Sequence, residues 1–217
     1  MTARRRPEAL RAVLFDWDGT LVDSAETSFR AYVSLFRELR IPFDRDEYRR
    51  TYSPNWHRTY EALGLSRERW DEADALWLRF YAEERNALLP GVPEALGRLR
   101  QAGHAQGIVS SGERARVTQE MRDLDVHHFF EVAVCGGDTE NRKPHPEPLL
   151  FALERMGLRA EEAAYVGDSP EDVEMARSAG VFAVGVPGTF PNRETLAASI
   201  PDLLAPDLRA AMDQLID

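Results

Sequence analysis

The chain has 217 residues, of which 43% are apolar and 29% charged, and it carries a formal net charge of −10 at pH 7. No stretch approaches the roughly 18 apolar residues that a membrane span requires. No concentrated basic surface is visible either, so we expect neither membrane insertion nor nucleic-acid binding. The apolar stretch after the basic N-terminal residues is too short for a signal peptide, and one cysteine, Cys135, cannot form an internal disulfide. We therefore expect a cytoplasmic protein.

The first predicted element is a buried parallel strand, Ala12-Val13-Leu14-Phe15, which ends at Asp16. The interval that follows, from Ser24 to about Leu88, has apolar residues at helical spacing and many helix formers. Its aromatic residues, Trp70 and Trp77 among them, are expected to form its own core. This interval is therefore predicted to be an inserted helical subdomain.

From Pro90 to Gly188, short apolar runs alternate with helical segments that end at glycines. The predicted strands are Ala105–Ser110, Val132–Cys135, Ala163–Val166 and Val181–Val186. This alternation predicts an α/β fold, a Rossmann-like parallel-sheet core with an inserted α-helical cap. We assign residues 1–22 and 89–217 to the core and 23–88 to the cap.

Four polar elements lie at or just beyond the predicted strand ends, where parallel sheets bind their ligands. They are Asp16-Trp17-Asp18-Gly19-Thr20-Leu21, Ser110, Lys143 in Arg142-Lys143-Pro144, and Gly167-Asp168-Ser169-Pro170-Glu171-Asp172. We expect them to converge on one pocket.

These residue types suit phosphoryl transfer. One carboxylate of the Asp16 and Asp18 pair attacks phosphorus, while the other protonates the leaving oxygen and later deprotonates water. Two carboxylates at close range need a cation, and Mg²⁺ prefers hard oxygen ligands, so Asp168 is expected to complete a magnesium site. Ser110 and Lys143 supply a hydroxyl and a positive charge for the phosphoryl oxygens. A turn without function remains the alternative, since Asp-Gly is a common turn pair.

The segment Asp16-Trp17-Asp18-Gly19-Thr20-Leu21-Val22-Asp23-Ser24 resembles the signature of the haloacid dehalogenase-like hydrolase superfamily, and the other three elements match its remaining motifs in order. The resemblance implies Asp16 as nucleophile and Asp18 as general acid/base, with Ser110 and Lys143 on the phosphoryl group. It implies a metal site that includes Asp16, Asp168 and Asp18, the last through its backbone carbonyl. The carboxyl of Asp18 favours phosphate esters over halogenated substrates.

A helical insertion after the first motif resembles the subgroup that includes phosphoglycolate phosphatases, sugar-phosphate phosphatases, pyrophosphatases and beta-phosphoglucomutases. The resemblance implies a magnesium-dependent phosphatase that hydrolyses a small phosphorylated metabolite, such as phosphoglycolate or a sugar phosphate, through an aspartyl phosphate. A beta-phosphoglucomutase-type isomerase, a pyrophosphatase and a binding protein without activity remain alternatives. A monomer or homodimer is expected.

Five further residues are candidates for the site, and three of them have two interpretations each. Asp172 fits a capping box with Ser169 as well as a metal site. Thr20 either caps the insertion or steadies the nucleophile loop, where it would bind substrate. Ser111 and Gly112 are predicted to bind substrate beside Ser110. Arg58, in the segment Tyr52–Arg58 between cap helices, either holds an anionic group of the substrate or is solvated.

Overall fold

The computed structural model of the chain describes residues 5–216. Its strands are β1 (Ala12–Phe15), β2 (Val22–Asp23), β3 (Ala87–Leu88), β4 (Ala105–Glu113), β5 (Val132–Gly136), β6 (Ala163–Gly167), β7 (Phe182–Gly185) and β8 (Leu203–Leu204). Its α-helices are α1 (Ala25–Glu38), α2 (Arg45–Thr51), α3 (Trp56–Ala62), α4 (Trp70–Tyr81), α5 (Val92–Gln101), α6 (Arg114–Asp123), α7 (Glu147–Met156), α8 (Pro170–Ser178), α9 (Arg193–Ala198) and α10 (Leu208–Ile216). Single 3₁₀ turns occur at Arg67–Arg69, His127–Phe129 and Ala160–Glu162.

Six strands form a parallel sheet in the order β5-β4-β1-β6-β7-β8. The central strand β1 pairs with β4 and β6, so Phe15 lies in register with Ile108 and Val166. Because neighbouring strands run in the same direction, their carboxyl ends meet along one edge of the sheet. The prediction of an α/β fold with a parallel sheet is confirmed.

Apolar side chains cover both faces of the sheet, which explains why β1 is fully buried. Val13 and Phe15 point into one cluster, and Ala12 and Leu14 into the other. The first cluster includes Leu96 and Leu99 of α5 with Met212 and Leu215 of α10; the second includes Leu149 and Leu153 of α7 with Val173 of α8. Burial of these apolar surfaces stabilises the sheet by roughly 25 cal/mol per Å².

Several elements differ from the sequence-based expectation. Strand β4 continues past Ser110 to Glu113, with a shift in its register to β5 between Val109 and Glu113. Helices α6, α9 and α10 and strands β2, β3 and β8 were not predicted. In α6 only Val117 and Met121 are buried, so its apolar periodicity is weak, and β8 has two residues, too few for a pattern.

The chain divides into two compact units. One contains the chain through Asp23 and again from Leu88 onward, and the other is Ser24–Ala87. The sequence-based boundaries were 22/23 and 88/89. Within the described residues 5–216, no helix has both the length and the apolar character needed to cross a bilayer.

The inserted unit consists of α1 to α4 and has an aromatic core of its own. Tyr32 stacks on Phe36 with ring centroids 5.9 Å apart, and Trp77 stacks on Tyr81 at 4.6 Å. Trp70 stacks on His57 at 4.3 Å. Trp70 and Trp77 therefore pack within this unit, and each is partly buried.

Candidate active site

Polar side chains meet at the carboxyl edge of the sheet. Asp16 directly follows β1 and Asp168 directly follows β6, and these strands are neighbours. The backbone N–H of Asp16 donates to the carbonyl of Val166 at 2.9 Å, which extends the ladder to the catalytic candidate. One carboxylate oxygen from each of Asp16, Asp168 and Asp172 lies within 4.8 Å of the others. Three of the predicted carboxylates are thus brought together.

The loop after Asp16 turns sharply because of Gly19. The N–H groups of Leu21 and Val22 donate to the Trp17 carbonyl at 3.0 and 3.1 Å, and Gly19 has a φ of +81°. A Cβ at Gly19 would also lie 2.6 Å from Oδ2 of Asp168 and overlap the Phe190 ring. Glycine therefore serves both the turn and the close approach of this loop to Asp168.

Lys143 lies at the centre of the carboxylate group. Its Nζ donates to Oδ1 of Asp16 at 2.6 Å, to Oδ1 of Asp172 at 2.7 Å and to the hydroxyl of Tyr165 at 2.6 Å. The Tyr165 hydroxyl in turn donates to the carbonyl of Val109 at 2.8 Å. The lysine is 5% exposed, so its three donors are all used by buried acceptors.

Burial and mutual repulsion set the protonation of this group. Burial raises the pKa of Asp16 to about 7; Lys143 opposes the rise, and the charges of Asp172 and Asp18 add to it. Burial, followed by the charges of Asp16 and Asp172, raises the pKa of Asp168 well above its usual value. Burial alone would lower the pKa of Lys143, but Asp16 and Asp172 outweigh it and raise that pKa. The lysine is therefore an ammonium.

Asp172 serves the helix and the site with different oxygens. Its Oδ2 accepts from the backbone N–H of Ser169 at 3.1 Å, and the Ser169 Oγ accepts from the backbone N–H of Asp172 at 3.2 Å; these two bonds form the predicted capping box of α8. Its Oδ1 accepts from Lys143, which also donates to Asp16. Gly167 permits this arrangement, because a Cβ there would overlap the Asp172 side chain.

The residues present fit a hard divalent cation. Asp168 is 3% exposed, and its Oδ2 accepts no hydrogen bond from any of residues 5–216. A buried carboxylate oxygen without a donor is costly unless a proton or a cation satisfies it. When all three carboxyls are ionised, their negative charge exceeds the positive charge of the one ammonium, and carboxylate oxygens are the ligands that Mg²⁺ prefers.

The Asp18 carboxylate lies outside the group of three and pairs instead with Arg116 of α6. Nη2 of Arg116 is 2.6 Å from Oδ2 of Asp18, and Nη1 is 3.1 Å from Oδ1. The side chains are 10% and 24% exposed. The predicted acid/base residue is thus held bidentately by a cation.

The remaining predicted residues have distinct surroundings. Ser110 is buried, and its Oγ accepts from the N–H of Gly112 at 3.0 Å. A Cβ at Gly112 would overlap the Arg116 guanidinium. Ser111 is half-buried on β4. Thr20 is 2% exposed, and its Oγ1 has no hydrogen-bond partner within the described part of the chain. The roles assigned to all four in substrate or phosphoryl binding stay predictions.

Arg58 belongs to the inserted unit, where it is exposed on α3. Its predicted contact with an anionic group of the substrate also stays a prediction.

Sequence reasoning missed three residues of this site: Tyr165, Arg116 and Gly188. Tyr165 was counted as part of an apolar strand, although its hydroxyl needs a partner when buried, which is the signal that was overlooked. A Cβ at Gly188 would overlap the Gly19 carbonyl and Asp168, so this loop also packs against the site. Arg116 gave no signal, because its partner lies 98 positions away.

Comparison with known proteins agrees with this geometry. The model of the family described as haloacid dehalogenase-like hydrolase matches residues 13–186. The chain belongs to this family. The match confirms the resemblance carried by the four motifs, and it makes the chain an enzyme of the hydrolase class.

Individual relatives narrow the comparison. The chain is 32% identical over 222 residues to a phosphoglycolate phosphatase of Salmonella typhimurium, covering 90% of this chain and 88% of that protein. A crystal structure of a putative phosphoglycolate phosphatase from Lactobacillus plantarum superposes with a TM-score of 0.87 at 23% identity, covering 95% of this chain and 99% of that one. A beta-phosphoglucomutase of Clostridium difficile superposes with a TM-score of 0.79 at 20% identity, over 95% and 97%. This haloacid dehalogenase-like hydrolase is thus similar to phosphoglycolate phosphatases in sequence, and it shares its fold with a mutase.

Proposed function

We propose that the chain is a magnesium-dependent phosphatase that hydrolyses a small phosphomonoester of the phosphoglycolate type through an aspartyl phosphate on Asp16. The observation that carries the proposal is the position of the Asp16 carboxylate. It follows the central strand, one of its oxygens is held by the Lys143 ammonium, and it lies beside Asp168 and Asp172.

The two oxygens of Asp16 have different surroundings. Oδ1 accepts from Lys143 at 2.6 Å. We assign the attack on phosphorus to the other oxygen, Oδ2, and Lys143 restrains the carboxylate during the attack. The same ammonium offsets negative charge that develops on the phosphoryl oxygens.

Asp16, Asp168 and Asp172 would hold Mg²⁺, with the Asp18 backbone carbonyl as the predicted further ligand. When bound, Mg²⁺ supplies positive charge that brings the phosphoryl oxygens and the carboxylates together. Asp18 donates a proton to the leaving oxygen in the first half of the reaction and takes one from water in the second. Free phosphate and the alcohol are the products.

The substrate class rests on the relatives that the chain resembles at 32% identity over 90% of its length, which are phosphoglycolate phosphatases. A cytoplasmic location and a monomeric or homodimeric state stay predictions.

Phosphate release from a panel of 2-phosphoglycolate, hexose phosphates and pyrophosphate tests the proposal. We expect turnover of 2-phosphoglycolate with Mg²⁺ and none with a chelator. Asp16→Asn should lose activity on the order of a thousandfold or more, as removal of a catalytic nucleophile does. The control is Asp138→Asn, which removes a carboxylate that pairs with Arg114 outside the site and should leave turnover near wild type.

Three results would count against the proposal. Full activity in Asp16→Asn would exclude the aspartyl phosphate, and turnover in chelator would exclude the metal. Interconversion of two sugar phosphates without release of phosphate would indicate the mutase instead.

A further inference from the structure

Arg116 of α6 holds the Asp18 carboxyl. Arg116 contacts both of its oxygens, at 2.6 and 3.1 Å, and the guanidinium is 10% exposed. A bidentate arginine fixes the plane and the direction of a carboxylate, which a single hydrogen bond does not. A proton can be delivered to a leaving oxygen only from a carboxyl that is aimed at it.

The guanidinium is itself held in place. Its Nη1 lies 2.9 Å from a carboxylate oxygen of Glu120, one turn further along α6. The same oxygen accepts from the indole N–H of Trp17 at 2.9 Å. Trp17 is fully buried, and in the sequence it stands between Asp16 and Asp18. A series of hydrogen bonds thus links Trp17, in the loop after Asp16, to Glu120, then to Arg116 and then to Asp18.

The backbone leaves space for this arginine. Gly112, where β4 approaches α6, lies so close to Arg116 that a Cβ would overlap its Nη2. Arg114, two residues earlier, faces elsewhere and pairs with Asp138. One of two neighbouring arginines is therefore directed to the site, and the other serves as a comparison on the same helix.

We propose that Arg116 is a positioning residue that aims the Asp18 carboxyl at the leaving oxygen. The proposal rests on the phosphatase function proposed above. The contacts at 2.6 Å to Oδ2 and 3.1 Å to Oδ1 fix the plane of the carboxyl. As the bond from phosphorus to the leaving oxygen breaks, its electron pair goes to that oxygen, which takes the proton from the Asp18 carboxyl.

A pair of substrates that differ in their need for a proton separates positioning from a structural role. The leaving group of 2-phosphoglycolate is an alkoxide, which needs a proton, whereas acetyl phosphate of similar size releases acetate, a stable anion. For each substrate, kcat/KM reports the half-reaction in which the leaving group departs. Damage to the fold lowers kcat/KM for both substrates equally. Misorientation of the Asp18 carboxyl, in contrast, lowers kcat/KM for 2-phosphoglycolate alone.

We expect Arg116→Ala to lower kcat/KM for 2-phosphoglycolate by about 10- to 100-fold, part of the 10²- to 10⁴-fold that an acid catalyst contributes. The value for acetyl phosphate should fall less than about threefold, because that step gains little from the proton. Arg116→Lys, which keeps the charge without the bidentate grip, should fall between wild type and alanine. The matched control, Arg114→Ala, should leave the ratio of the two values unchanged.

Equal losses on both substrates, or none, in Arg116→Ala would overturn the positioning role. Asp18→Asn shows which of the two proposals has failed. If Asp18→Asn lowers kcat/KM more for 2-phosphoglycolate than for acetyl phosphate and Arg116→Ala does not, only the role of Arg116 is wrong. If neither variant shows this difference between the substrates, Asp18 is not the acid. If the enzyme does not hydrolyse 2-phosphoglycolate, phenyl phosphate and 4-nitrophenyl phosphate provide the same comparison, and failure on all four overturns both proposals.

Discussion

The buried lysine is the residue on which the candidate site depends. Lys143 donates to Asp16, Asp172 and Tyr165 at distances of 2.6 to 2.7 Å. Removal of one partner of a buried charge usually costs more than the pair contributes, because the remaining charge is left without compensation. Lys143 therefore positions the Asp16 carboxylate and compensates its negative charge in the protein interior.

Tyr165→Phe tests how far Lys143 depends on its neutral partner. The change removes the hydrogen bond from Tyr165 to the Val109 carbonyl and one acceptor of the ammonium. We expect the free energy of unfolding to fall by about 1–3 kcal/mol, the usual cost of an unsatisfied buried group. We also expect kcat to fall a few-fold, because Lys143 is less firmly directed at Asp16. Urea unfolding and phosphate release measure the two effects.

Tyr60→Phe is the control for Tyr165→Phe. It removes a hydroxyl that donates to Asp74 in the inserted unit, so it should affect stability while kcat stays near the wild-type value. If Tyr165→Phe keeps the stability and the kcat of the wild type, Tyr165 does not support the lysine.

At the level of elements, the site depends on loops that approach each other more closely than side chains would allow. The turn after β1 and the loop after β7 meet at Gly19 and Gly188, and Asp168 lies against both. Because Gly19 and Gly188 have no side chain, their loops can pack directly against Asp168, the carboxylate that follows β6. The geometry of the metal site is thus set partly by residues that carry no chemistry.

Gly19→Ala and Gly91→Ala separate close approach from backbone strain. Both glycines have a φ of +81°, but a Cβ at Gly91 meets nothing within 4 Å, whereas one at Gly19 meets Asp168 and Phe190. Each substitution should cost about 1–2 kcal/mol for the left-handed backbone. We expect Gly19→Ala to cost clearly more in urea unfolding and to abolish phosphate release. Equal losses of stability with activity retained would show that the approach to Asp168 is unimportant.

The sequence predicts some elements of this site better than others. Strands β1 and β6 were predicted because they are uninterrupted apolar runs that end in aspartate, and the convergence of strand ends follows from a parallel sheet. The roles of Tyr165 and Arg116 were not predicted, because the sequence shows residue types but no long-range partners. Their contacts with Lys143 and Asp18 span 22 and 98 positions.

For the molecule as a whole, the site links stability to pH. The raised pKa values of Asp16 and Asp168 mean that the native state binds more protons than the unfolded chain above about pH 4. The free energy of unfolding therefore falls as pH rises toward the Asp16 pKa of about 7. The raised pKa of Lys143 contributes no slope in this range, because the lysine is charged in both states.

Metal-free protein should thus lose stability between pH 5 and pH 7, and Mg²⁺ should stabilise it more at pH 7, where fewer protons compete for the same oxygens. Thermal unfolding at pH 5, 6 and 7, in chelator and in Mg²⁺, measures both trends. Asp16→Asn and Asp168→Asn should each flatten the slope in chelator and reduce the shift caused by Mg²⁺, whereas Asp138→Asn should do neither. An unchanged slope in both site variants would mean that other groups link stability to pH and that the pKa values of Asp16 and Asp168 are not raised in the native state.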